Sequence, residues 1–305
     1  MRLLVERPGP RTLLQDGGRP GLAHLGVSAG GAFDRAAWHL GNRLVGNQAG
    51  AASLELLMGQ LALRAVDGDM LVALTGAEAP LTVAGRGVDV LSPVLLREGE
   101  LLEVGVPVRG LRSYLAVRGG LEGRRVFGSL SSDPTRQMGP APLQAGQELL
   151  VGTAGREALL GTDLAVATGG PSEHLELGAT WGPREDWFAP EARALLARGT
   201  WQMTSESDRV GARLDGPRLT RAVTEELASE AVVRGAVQVP TSGLPLVFGP
   251  DHPTTGGYPV IAVVDGPDAD RLAQARPGCT VGFRPRRSRL ELRGDRGPLS
   301  PAARG

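Results

Sequence analysis

The chain has 305 residues, with 33 basic and 33 acidic side chains, 41% apolar residues and 22% charged residues, a globular balance long enough for two ordinary domains. Even charge leaves no basic face for nucleic acid, and no stretch approaches the roughly 18 uncharged apolar residues of a membrane span. Lysine is absent, so biotinyl-lysine, a pyridoxal Schiff base and a P-loop lysine are all excluded from this chain, while nucleotide binding by another fold stays open. Residues 1–7 meet charge too soon for a signal peptide. The single cysteine, Cys279, precedes an apolar run and suits a buried structural thiol in a reducing compartment, so the expected location is the cytoplasm.

Glycine (45) and proline (23) are spread throughout, and short apolar runs between turn formers predict a mainly β protein with a few short helices. In chain order, Asp34 caps a helix carrying Trp38, Leu40 and Leu44 that Gly46-Asn47 ends. Strands are predicted over 70–74, 101–104 and 113–117. Glycines 155, 161, 169 and 170 break the chain around residue 165, which divides it into an N-terminal β-rich half (1–165) and a C-terminal half (166–305). Pro190 opens a helix through Leu195 and Leu196 that Gly199 closes. Further strands are predicted over 232–239, 244–248, 260–264 and 289–292, the last alternating polar and apolar residues. Asp268 or Asp270 starts a short helix through Leu272.

Three polar clusters stand out. Gln15-Asp16-Gly17-Gly18-Arg19-Pro20-Gly21 with Ser28-Ala29-Gly30-Gly31-Ala32-Phe33-Asp34 combines glycines that admit a ligand to the backbone with an arginine fork, although such residues also make ordinary turns. Ser205-Glu206-Ser207-Asp208-Arg209-Val210-Gly211-Ala212-Arg213 reads equally as a solvated loop with internal salt bridges. Asp251-His252-Pro253-Thr254-Thr255-Gly256-Gly257-Tyr258-Pro259 packs hydroxyls, glycines and a tyrosine between two apolar runs, with Gln238 ending a neighbouring strand. His24, His39, His174 and His252 lack ligand spacing, so no metal is expected. No Gly-x-Ser-x-Gly elbow or strand–GxGxxG–helix pattern occurs, though a Ser-His-Asp triad stays open.

Taken in order, these segments resemble one family. The matching stretches include 12–21, 26–34, Asn42-Arg43-Leu44-Val45-Gly46-Asn47, Leu54-Glu55 and Tyr114-Leu115-Ala116-Val117-Arg118-Gly119-Gly120. They continue through Gly128-Ser129-Leu130-Ser131-Ser132-Asp133, 207–214, 235–240, 254–259 and Gln274-Ala275-Arg276-Pro277-Gly278. Together they are similar to the C subunit of bacterial 5-oxoprolinase, the allophanate hydrolase subunit 2 or KipA-like family, which also forms part of the carboxyltransferase region of urea carboxylase.

The resemblance implies a two-part cyclophilin-like β-barrel architecture. It also implies one component of an amide (lactam) hydrolase that works only with partners, a KipI-like B subunit and an A subunit. The reaction it implies is ATP-dependent opening of 5-oxo-L-proline to L-glutamate, the ATP being shared with or held by a partner. The alternatives it carries are carboxyl transfer from biotin borne by a partner, as in urea carboxylase and urea amidolyase, and a KipA-like regulatory binding role. By motif position, Arg209 and Arg19 would stabilise developing negative charge and Asp251 would orient a donor or act as a base. Thr254, Thr255, Gly256, Gly257 and Tyr258 would hold substrate, with Gln15, Asp16, Ser28, Gly30, Asp34, Asn42, Arg213 and Gln238 as further binding residues. Three positions depart from the family pattern: Asp208 replaces an asparagine, Pro253 a glutamine and Leu130 an arginine, and a glycine pair near Met138-Gly139 is absent.

Overall fold

The computed structural model describes residues 1–155 and 173–287. The first of these segments forms two antiparallel sheets. One has seven strands in the order Leu121–Glu122, Glu148–Val151, Arg2–Pro8, Leu61–Ala65, Leu101–Val104, Leu81–Val83 and Arg86–Val88. The other has five, in the order Arg11–Gln15, Ser53–Leu57, Arg109–Val117, Met70–Glu78 and Val94–Leu96. Side chains alternate across a strand, so Leu54 and Leu56 enter the core shared by the sheets while Glu55 points to the opposite face. Leu3, Leu61, Leu63, Val72, Leu74 and Leu115 fill that core, which contains no aromatic ring.

The helix Arg35–Leu44 covers the opposite face of the five-stranded sheet, packing Trp38 near Tyr114. Asp34 caps it as predicted, its carboxylate accepting from Ala37 N at 2.9 Å. Gly41 lets the helix lie close to the sheet: a β-carbon there would sit tightly against Thr75 Oγ1 at 3.1 Å and Ala116 Cβ at 3.4 Å.

The second segment closes a seven-stranded barrel: His174–Trp181, Val260–Val264, Ala236–Gln238, Leu246–Phe248, Gly211–Asp215, Thr200–Met203 and Thr280–Arg286. Only His174–Trp181 and Thr280–Arg286 pair in parallel within it; that contact closes the ring and leaves no edge. Trp201, Phe283, Leu177, Val237, Val247 and Ile261 fill the interior, and Pro190–Arg198 caps it with Pro190 in its first turn. Cys279 is buried against this core.

The strands predicted over 70–74, 101–104, 113–117 and 260–264 form. The strand predicted over 232–239 shortens to Ala236–Gln238, because Gly235 turns the chain at φ +84°, where a β-carbon would sit 2.7 Å from Val264 O. Leu246–Phe248 starts after Pro245, which has no N–H for the ladder. The third helix, Gly266–Arg271, begins ahead of Asp268, whose carboxylate accepts from Gly178 N at 2.7 Å and does not cap its own helix. The predicted strand 289–292 and the division at residue 165 lie outside the described residues.

The two segments meet tightly. Phe33 is buried within the barrel's core cluster, and the guanidinium groups of Arg112 and Arg234 lie 4.7 and 5.8 Å from its ring centroid. Gln274 uses both ends of its amide across the seam. Its Oε1 accepts from Leu111 N (3.0 Å) and Arg112 N (3.1 Å), and its Nε2 donates to Asp34 Oδ2 (2.8 Å) and Arg112 O (2.9 Å).

Candidate functional site

All three polar clusters converge on Arg209. The turn before strand Gly211–Asp215 is closed by Asp208, whose Oδ1 accepts from Val210 N at 2.8 Å and Gly211 N at 3.1 Å. An asparagine oxygen would accept the same two bonds, so this departure preserves the turn. The turn buries Arg209, whose Nε and Nη2 donate to Asp251 Oδ2 (2.7 Å) and Oδ1 (3.0 Å) in a two-point pair. Nη2 also donates to Gly31 O at 2.7 Å, and Nη1 donates to Glu55 Oε1 at 2.6 Å. Residues from the first cluster, the second, the third and the middle of a sheet thus share one guanidinium.

Glu55 is the centre of the network. Its Oε2 accepts from Phe33 N at 3.0 Å and from the Tyr114 hydroxyl at 2.8 Å, and Arg112 Nε lies 3.7 Å from Oε1. Burial acts to raise the Glu55 carboxyl, but Arg209 and Arg112 with these donors outweigh it and hold it below the usual glutamate range. Burial likewise weakens the charged form of Arg209; Asp251 and Glu55 more than restore it and raise Arg209 above the ordinary arginine value. Asp251 goes the other way, since burial raises it and Arg209 offsets this only in part, with Asp133 and Glu55 adding repulsion. Burial, then the Glu55 and Asp34 charges, push Tyr114 well above the usual phenol, so it stays a neutral donor to Glu55.

A cavity of about 440 Å³ opens over one side of this network, a size suited to a small molecule. Glu55, Arg112 and Arg209 lie in its wall, Thr204 and Asp208 come from the barrel, and Leu13, Leu57, Met58, Leu111 and Met203 supply apolar surface. Asp251 and Arg19 are not among its lining residues.

Arg19 lies near the far side of the network. It is buried, its Nη2 donates to Ser131 O at 2.5 Å, and a β-carbon on Gly30 would sit 3.5 Å from its Nη1 and 3.7 Å from Asp251 Oδ1. Desolvation lowers its pKa from the usual arginine value. Asp16 accepts from Gly18 N, Leu130 N and the hydroxyls of Ser129 and Ser131, all at 2.5 to 2.8 Å, and so organises the loop. Gln15 donates to Ser132 O, and Ser28 is buried beside this region of the chain. Leu130, replacing the family arginine, is buried in the apolar core of the sheets.

The remaining candidates are dispersed. Asp34 caps its helix and meets Gln274, and Asn42 donates to Trp38 O, Ala51 O and Ser53 Oγ, both away from the cavity wall. The Arg213 side chain is exposed. Thr255–Gly256 pairs with Glu230–Ala231 as a ribbon, with Thr254 half-buried and Thr255, Gly257 and Tyr258 exposed. Gln238 donates to Tyr258 O, and its amide lies so close to Gly256 that a β-carbon there would sit 2.4 Å from Nε2. None of residues 254–258 lines the cavity.

Glu55, Arg112, Tyr114 and Arg136 were not singled out as site residues from the sequence. Arg136 ties two loops together, donating to Asp133 Oδ2 (2.9 Å), Asp251 O (3.0 Å) and His252 O (3.2 Å). The signal for Glu55 was available: one carboxylate inside an apolar run must be paired if the strand is buried. Among the described residues no group of three or more His, Cys, Asp or Glu is arranged to hold a metal ion, and no helix is long and apolar enough to cross a membrane.

Residues 25–285 match the family model for the carboxyltransferase domain, subdomain A and B. The chain is 36% identical to the C subunit of 5-oxoprolinase from Escherichia coli, covering 92% of this chain and 90% of the relative. It is 32% identical to the Haemophilus influenzae protein of the same name, over 90% and 87%. The crystal structure of Kluyveromyces lactis urea carboxylase matches 92% of this chain and 27% of its own at TM-score 0.84 and 26% identity. With one collinear match running through both sheets and the barrel, the chain belongs to the carboxyltransferase subdomain A and B family, alongside the C subunits of the 5-oxoprolinases.

Proposed function

We propose that the chain is the C subunit of an ATP-dependent 5-oxoprolinase, which with the A and B subunits opens 5-oxo-L-proline to L-glutamate in the cytoplasm. The observation that carries this reading is the Glu55–Arg209 pair in the wall of a small-molecule cavity, backed by Asp251, in a chain collinear with its E. coli 5-oxoprolinase relative. A lactam resists attack because its carbonyl is resonance-stabilised, and negative charge gathers on its oxygen as the ring opens. Arg209 is fixed in the cavity wall with four of its five N–H groups committed to Asp251, Glu55 and Gly31 O, and its second Nη1–H is the donor that would meet that charge. Glu55 and Asp251 hold it in place, and Arg19 adds a second buried cation near Asp251.

The donor set of the cavity does not suit a triphosphate. Of the four arginines in its wall, Arg209 and Arg112 face carboxylates and Arg276 donates to Gly110 O and Pro107 O, which leaves Arg11 as the one cation to meet three phosphates, and no lysine exists to follow a γ-phosphate. The ATP-linked step is therefore assigned to a partner, and covalent biotin would also have to be carried elsewhere. The defining assay is glutamate release from 5-oxoproline by this chain with its two partners and ATP, each component omitted in turn. Full activity from this chain alone would refute the reading.

The likeness to the urea carboxylase structure favours one second reading, carboxyl transfer from a partner's biotin. Sensitivity of the assembled activity to avidin would select it; ATP-dependent glutamate release indifferent to avidin selects the first.

A further inference from the structure

The register of the five-stranded sheet places one more charged side chain on the cavity. Leu14, Leu54, Leu56 and Leu115 enter the core shared by the sheets, so the alternate residues Arg11, Leu13, Glu55, Leu57, Arg112 and Tyr114 stand on the opposite face. Strand pairing orders them in two rows, Leu13 beside Glu55 beside Tyr114, and Arg11 beside Leu57 beside Arg112. Leu57 therefore lies between two arginines, and all three line the cavity of about 440 Å³.

The two arginines differ in what holds them. Arg112 is buried, its Nη1 donates to Ala273 O at 2.7 Å, and its guanidinium lies 4.7 Å from the Phe33 ring centroid. Arg11 is exposed, and among the described residues no acceptor or carboxylate engages its guanidinium. The carboxylates of the wall are spent elsewhere. Both Glu55 oxygens accept from Arg209, Phe33 N and the Tyr114 hydroxyl, and Asp208 Oδ1 closes its own turn. Four arginines line the cavity against Glu55 and Asp208, with Asp251 behind them, so the site carries an excess of one positive charge. A ligand with a single negative charge balances it.

Geometry says where that charge sits. Arg11 and Glu55 are diagonal neighbours across one strand pair, about 7–8 Å apart. Arg209 Nη1 lies 2.6 Å from Glu55 Oε1, and the apolar side chains of Leu13 and Leu57 also line the cavity. We propose that Arg11 is a specificity-determining residue that binds a carboxylate at one end of the ligand while the ligand's polar far end meets the free Nη1–H of Arg209. A guanidinium takes a carboxylate through two parallel N–H bonds, which fixes orientation as well as charge. The ligand class is a small monocarboxylic acid: a neutral amide or urea leaves Arg11 unmatched, and a polyphosphate brings more charge than the wall can balance. The proposal rests on the assignment of this cavity as the lactam site, where the anionic group is the ring carboxylate of 5-oxoproline.

The test is steady-state kinetics in the reconstituted complex of all three components, with 5-oxo-L-prolinamide, whose uncharged amide replaces the carboxylate, as a competing ligand. In the parent complex the prolinamide binds about tenfold more weakly than 5-oxoproline, the loss expected for one charge-assisted contact. Arg11→Gln raises KM for 5-oxoproline about tenfold, changes kcat less than about twofold and leaves the inhibition constant of the prolinamide within about twofold of the parent. Arg11→Lys, which keeps the charge without the fork, raises KM about threefold. Glutamate release with an unchanged KM in Arg11→Gln, or an equal weakening of acid and prolinamide in that variant, overturns this inference and leaves the lactam assignment standing. No glutamate release from the complete parent complex overturns the assignment, and this inference with it. Should Arg11→Gln fail to fold, Arg11→Lys decides, since a KM equal to the parent's overturns the inference.

Discussion

Arg209 and Asp251 form a two-point ion pair, 2.7 and 3.0 Å, buried where the sheets and the barrel meet, and Asp251 N also donates to Arg209 O at 3.0 Å. The two residues are 42 positions apart, yet backbone and side chain both link them. Arg209 presents its Nη1 to Glu55 on the cavity side, so Asp251 grips it from behind.

Removing the cation should be costly. Arg209→Ala leaves Glu55 and Asp251 buried without their main counter-charge, and about 3–5 kcal/mol of stability should be lost. Arg209→Lys should recover part of that stability and little activity, because an ammonium cannot reproduce the fork. Urea denaturation and the reconstituted assay separate the two effects.

The two carboxylates should respond to acid with opposite signs. Glu55 is held below its unfolded value of about 4.3, so its contribution is full above that pH and is lost as pH falls through the folded pKa. Asp251 is raised above its unfolded value of about 3.9, so the folded protein takes up that proton first and gains relative stability as pH falls toward 3.9. Stability measured from pH 7 downward should therefore show a flatter acid loss in Glu55→Gln and a steeper one in Asp251→Asn.

Gln274 is the cleanest test of the seam. Gln274→Ala strips partners from Leu111 N, Arg112 N, Arg112 O and Asp34 Oδ2 together, and should cost about 3 kcal/mol. Because Arg112 lies in the cavity wall, the same variant should also raise KM. An unchanged melting temperature would contradict the contact.

Gly18→Ala should destabilise strongly. Gly18 has φ +78°, and a β-carbon there would sit 2.3 Å from Ala29 O, so the loop carrying Arg19 must shift. A loss above about 2 kcal/mol is expected from strain and clash combined, read by thermal unfolding.

Much of the local structure was legible because its causes are local. Asp34 precedes an apolar 3.6-residue pattern and caps it, Pro190 fits a first turn, and the apolar runs at 70–74 and 260–264 become strands. The start predicted at Asp268 or Asp270 falls inside the helix, which begins at Gly266 after Asp265, and the Asp268 carboxylate accepts from Gly178 N, 90 residues earlier. No periodicity reports such a partner.

The amino-acid sequence by itself determined the β-rich class, the Asp34 helix cap, the family resemblance and the absence of lysine, since each depends on residue identity or short-range spacing. Only the tertiary structure decided which polar residues share a site. It brought Glu55 to Arg209 across 154 positions, set the cavity on the Glu55 side with Asp251 and Arg19 behind, and left residues 254–258 out of its wall. The physical reason is that a buried charge must find its counter-charge wherever the closed fold delivers one, and sheet pairing with barrel closure sets that meeting place.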